Sequence, residues 1–258
     1  MHYVFAYASW SSAVGGQYNY VYAPYSAVGG GAYNFLFGYA SAVVGGSSNR
    51  VYASWTSVGG GNNNYIYYPY GVVGGGAYNS LYSEASVVVG GSNNRVFGDY
   101  GSVGGGSQNT VYNDWSSVSG GKNNYVLSPY AVVVGGSYNY VYAYGGLVGG
   151  GMYNRAYGNY TSVGGGYANS AVGKYATVAG GDTNTAEGQY AVVAGGSSSV
   201  AEGAYSTSVG GQDNYVGGYA AVVVGGDNVR VYASWTSAVG GRYNGIYAPY
   251  AVVAGGSY

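Results

Sequence analysis

A Gly-Gly pair opens at Gly15 and at every fifteenth residue to Gly255, without one insertion or deletion. A period kept this strictly marks a stack of equivalent turns, each unable to bury a core alone and each burying one against its neighbours. No linker, charge block or change of composition interrupts the register. Residues 1–258 are therefore expected to form a single uninterrupted repeat domain.

Counting the first glycine of each pair as position one, Asn stands at position five in 14 of 16 turns, with Ser199 and Val229 the exceptions. Position seven is aliphatic throughout, and position fourteen is Val in 14 of 16 turns. Helices are excluded, because a glycine pair every fifteen residues breaks them and the Val and Tyr between favour strands. In Asn49-Arg50-Val51-Tyr52-Ala53, Asn, Val and Ala share one face while Arg and Tyr share the other. Two short strands per turn follow, at positions five to nine and eleven to fifteen. All four prolines (Pro24, Pro69, Pro129, Pro249) fall at position ten, between those strands, where a missing donor is tolerated. The glycine pair makes the other corner, where positive φ or close backbone approach is needed. The expected fold is all-β: a parallel β-solenoid, or β-roll, of about 17 fifteen-residue turns. At the strand spacing of parallel sheets this is a rod of roughly 80 Å.

Composition narrows the function classes. Of 258 residues only seven are Lys or Arg and eight Asp or Glu, so no basic surface for nucleic acid is expected. Cysteine is absent, which removes disulfides, thiolate metal sites and Cys nucleophiles. Glycine pairs interrupt every apolar run well short of the roughly 18 residues of a spanning helix, so no membrane insertion is expected. His2 is the sole histidine. Glu187 and Glu202 are one turn apart at position eight, with no base or pocket implied beside them, and read as a solvated pair. The glycine pairs are not phosphate loops, since no Gly-Lys-Ser/Thr follows. The expectation is a protein that is not an enzyme and takes no metal or cofactor.

The Asn column, Asn19, Asn34, Asn49, Asn64, Asn79, Asn94, Asn109, Asn124, Asn139, Asn154, Asn169, Asn184, Asn214 and Asn244, faces inward by parity. It is expected to be structural, each amide bonding to the next and to corner backbone groups. Two aromatic rows flank the proline corner. Position eight contributes Tyr22, Tyr52, Tyr67, Tyr82, Tyr112, Tyr142 and Tyr232, and position eleven contributes Trp55, Trp115 and Trp235. These rings are candidates for a binding surface, against a plainer reading in which they stack on one another or are buried between subunits. Positions thirteen and fifteen carry small or aliphatic residues such as Val72, Val132, Val134, Val222 and Val224, a flat apolar face suited to a lateral subunit contact. The direction in which this second strand faces is left open by its pattern.

The segment from Tyr175 to Gly196, with its GGxxNxAxGxYxxVxGG pattern, resembles the YadA-like head repeats of trimeric autotransporter adhesins, also found in some phage fibre proteins. Outside residues 155–205, position seven is Val, Leu or Ile in place of the small residue of that pattern. The resemblance implies a left-handed β-roll, three chains side by side, and display on a cell or virion surface for adhesion. The expected function is a structural or adhesive extracellular fibre that packs laterally and end to end with copies of itself, as a trimer or filament. The frame is already running at Val4 and stops in mid-turn at Tyr258, which is the basis of the end-to-end expectation. Binding to glycans or other surfaces, and ice binding, are the alternatives.

Overall fold

A computed structural model describes residues 4–257, and His2 lies outside them. The chain divides into two compact units, Met1–Val126 and Leu127–Tyr258. Each is a parallel β-solenoid, and no helix occurs among the described residues. The described residues contain 34 strands, two per turn, for about 17 turns in total.

Within each unit the first strands of successive turns pair in parallel at a register of fifteen, as in Tyr20↔Phe35 and Val21↔Leu36 or Tyr140↔Arg155 and Val141↔Ala156. The second strands form a separate sheet in the same way, as in Val72↔Val87 and Val132↔Leu147. A third ladder of single-residue parallel bridges runs through position three, beginning with Gln17↔Ala32. Periodicity did not announce it, because one residue per turn carries no alternation.

Most strands are only two residues long, at positions six to seven and thirteen to fourteen, shorter than the two five-residue segments expected. Backbone conformation is the reason. Residues at positions four and eleven take φ near +55°, among them Tyr18 (53°), Tyr33 (57°), Trp55 (60°) and Trp115 (56°), and a left-handed residue ends a strand. At the position-ten corner a bond from Gly101 N to Gly98 O (3.1 Å) closes a turn whose central residues are Asp99 and Tyr100. Proline at the first central place and a left-handed residue at the second fit a type II turn, which ordinarily has glycine second.

The core is a narrow stripe. Positions seven and fourteen are sealed from solvent in both units, from Val21, Val28 and Leu36 to Val216, Val223 and Val231. This settles the facing of the second strand: position fourteen points in, and positions thirteen and fifteen point out. Small residues at positions nine and twelve let the opposing walls approach. Where Ser208 replaces Val at position fourteen, its hydroxyl is buried without a partner, as is that of Ser206.

Candidate binding surface

The inward Asn column is buried from Asn19 to Asn214, and Asn244 is half-buried. Asn49 shows the fullest form of the bonding, shared with Asn34, Asn64 and Asn79. Its Nδ2 donates to Asn34 Oδ1, to Gly45 O and to Gly61 O, each at 3.1 Å, and its backbone N donates to Asn34 Oδ1 at 3.1 Å. One side chain therefore ties its own turn to the turns before and after it, satisfying groups that burial would otherwise leave at a cost of about 1–3 kcal/mol each. The backbone link to the amide of the preceding turn persists where the chain departs from Asn: Ser199 N donates to Asn184 Oδ1 and Val229 N to Asn214 Oδ1, both at 3.0 Å. From Gly195 onward both glycines of each pair have positive φ, where earlier pairs have only the second. The change begins in the turn in which Ser199 takes the place of the pinning amide.

The outward face of the first-strand sheet carries the rings of positions six and eight. In the N-terminal unit position eight is a continuous stack of Tyr7, Tyr22, Phe37, Tyr52, Tyr67, Tyr82, Phe97 and Tyr112. Its centroids are 4.7–5.4 Å apart and its planes within 9° of parallel. The strand spacing imposes this separation. Tyr82 is half-buried within the stack, and the others remain more than a third exposed. Because each face lies against the ring above or below, the row offers edges and hydroxyls to solvent. Tyr67, desolvated by its neighbours, has its hydroxyl pKa raised above 10.0. Position six adds a parallel row, in which Arg50 stands between the rings of Phe35 and Tyr65 at 5.8 and 5.5 Å.

The C-terminal unit keeps only fragments of the position-eight row, Tyr142 on Tyr157 and Tyr232 on Tyr247, since Val172, Glu187, Glu202 and Gly217 occupy the turns between. Glu187 and Glu202 are exposed, but Glu202 has a partner that the sequence reading did not assign: the Tyr215 hydroxyl donates to its Oε2. That bond, with smaller contributions from burial and nearby charge, pushes the Tyr215 pKa up to about 12.

Position eleven forms the other outward row. Trp55, Trp115 and Trp235 are each more than half exposed. Trp115 stacks on Tyr100 at 4.2 Å, and Tyr160, Tyr175, Tyr190 and Tyr205 make a second run at 4.9–5.3 Å. Where position eleven is Ala40, Gly145 or Ala220, a Tyr one residue earlier fills the gap edge-on. Tyr39 lies against Tyr25 and Trp55, Tyr144 against Tyr130 and Tyr160, and Tyr219 against Tyr205 and Trp235. The signal lay in the sequence as an exchange between neighbouring columns, invisible when each column is read alone.

No group of three or more His, Cys, Asp or Glu positioned to hold a metal ion occurs among the described residues. No protein-family model matches this chain, and no curated protein matches it.

Proposed function

We propose that this chain is a structural and adhesive fibre protein, displayed outside the cell or on a cell or virion surface, that packs side by side with copies of itself. The carrying observation is the outer face of the second-strand sheet. Val44, Val72 and Val89 in the N-terminal unit, and Val134, Leu147, Val224 and Val239 in the C-terminal unit, are all more than a third exposed. Glycine, alanine, serine, threonine and further valines fill the places between them, and no charged residue interrupts the face. An uncharged apolar surface of this kind favours burial against a like surface. The likeness of the segment from Tyr175 to Gly196 to YadA-like head repeats supports the same reading, with three chains as the number it implies.

The exposed rings support the adhesive part. Tyr and Trp at position eleven occupy left-handed backbone that glycine would adopt without strain, so the chain carries a cost of order 1 kcal/mol per turn to keep a ring there. No catalytic role is proposed for Glu187 or Glu202.

The lateral contact is tested by replacing Val134 and Val224 with Lys. Buried in a contact, the new charges would be desolvated and unpaired. In sedimentation the parent is expected as an oligomer and the double variant as a smaller species. The same distribution for both, or a monomeric parent, would show that this face is free.

A further inference from the structure

The position-six row of the N-terminal unit is broken for three turns. In register it reads Tyr65, Ser80, Arg95, Thr110, Tyr125, so that one guanidinium flanked by two small hydroxyl residues stands where, apart from Arg50, the unit carries rings. The gap is a shallow cavity of about 210 Å³. Its polar wall comes from position four of three successive turns, Asn93, Gln108 and Asn123, and its aromatic wall from Tyr112 and Tyr125.

Most guanidinium groups of the described residues are engaged, while those of Arg95 and Arg155 are not. Arg50, in the same row, is held between two rings, Arg230 Nε donates to Asn228 at 3.1 Å, and Arg242 pairs with Asp227 at 2.8 Å. Among the described residues, by contrast, the Arg95 guanidinium is exposed and makes no ion pair, hydrogen bond or ring contact. The backbone amides of Asn93, Gln108 and Asn123 are used in bonds of 2.9–3.0 Å to the preceding turn, yet their side-chain amides bond to nothing among the described residues. One planar cation and three amides, each both donor and acceptor, thus converge unspent on one cavity.

We propose that this cavity binds a short acidic saccharide. The guanidinium fork matches a carboxylate with two parallel hydrogen bonds. The amides can both donate to and accept from sugar hydroxyls. The tyrosine wall supplies the apolar surface on which a pyranose ring rests. The cavity spans three turns, about 10 Å at the strand spacing, so the saccharide lies along the ladder rather than across it. The proposal rests on the adhesive part of the function above and not on lateral packing, which uses the other sheet.

The test is titration calorimetry of the full chain with three probes: a galacturonic acid tetramer, maltotetraose and inorganic phosphate. The galacturonate is expected to bind, with maltotetraose and phosphate each at least about tenfold weaker. Arg95→Gln is expected to weaken galacturonate binding at least about tenfold, the loss of one charge-assisted contact. Gln108→Ala is expected to weaken it less, and Arg155→Gln, in the same row of the other unit, not at all. Phosphate binding as tight as galacturonate would reduce the cavity to an anion site and overturn the proposal. So would galacturonate binding that is absent or indifferent to Arg95→Gln. Sedimentation of Arg95→Gln separates the two readings: association unchanged while saccharide binding is lost supports the site, and loss of both together would assign Arg95 to the subunit contact instead.

Discussion

In each turn the two glycines of the pair face different constraints. At Gly61 φ is 84°, and a Cβ there would collide with the carbonyl oxygen of Gly76 while standing 2.8 Å from its nitrogen and 2.9 Å from Asn64 Nδ2. At Gly60 a Cβ would meet nothing within 4 Å, and φ is not positive. Gly61→Ala is therefore expected to destabilise the protein by roughly 2–4 kcal/mol, from backbone strain and displacement of the turn above. Gly60→Ala is expected to be neutral or to stabilise by about 0.4–1 kcal/mol, because alanine has fewer unfolded conformations to lose. Denaturant melts of the two variants decide the matter, and equal losses would mean that the pair acts as a unit.

The position-ten turn, with its left-handed second residue, is the element in which local conformation and side-chain demand disagree. Ala85 occupies that place with φ of 50° and contributes no ring, whereas Gly145 holds the equivalent place with φ of 61°. Left-handed backbone costs a non-glycine residue about 1–2 kcal/mol, and glycine recovers this at about 0.5–1 kcal/mol of unfolded-state entropy. Ala85→Gly is thus expected to stabilise by up to about 1 kcal/mol, measured as an upward shift in the denaturant midpoint. A loss of that size would show the turn to be relaxed with alanine. The same turn explains the pairing of Tyr39 with Ala40 and of Tyr219 with Ala220: the ring can be supplied from either central residue, and the row stays filled.

Across the chain, charge is too sparse to hold copies together or apart. One ion pair, Arg242 with Asp227, occurs among the described residues, and both partners are solvent-exposed, so it contributes little. Association through the valine face is expected to be insensitive to ionic strength, since salt screens charges and leaves apolar burial intact. Sedimentation between about 0.05 and 0.5 M sodium chloride checks this, with the Debye length falling severalfold across the range. Dissociation at the higher salt would place the contact on the charged residues. The aromatic surface is distributed unevenly: the continuous position-eight stack belongs to the N-terminal unit, whereas the C-terminal unit keeps its longest run, Tyr160 to Tyr205, at position eleven.

The period of fifteen and the two-residue alternation around Asn49 were enough to place the Asn column and position seven inside and the position-eight row outside, because strand parity decides inward and outward and stacking preserves it; the facing of the second strand, aliphatic on both sides, was decided only by the fold. The left-handed backbone at Tyr33 and Trp55 was not legible, since bulky aromatic residues carry no local preference for it; the closure of the turn forces it on whatever residue stands there. The single-residue ladder at position three was hidden for the related reason that it has no pattern of its own. The Arg95 cavity needed the folded chain, because its residues come from three columns and from three turns that the sequence keeps fifteen residues apart. Period and parity are local and survive in one dimension, whereas a gap in a row of rings exists only where neighbouring turns are brought within a strand spacing of one another.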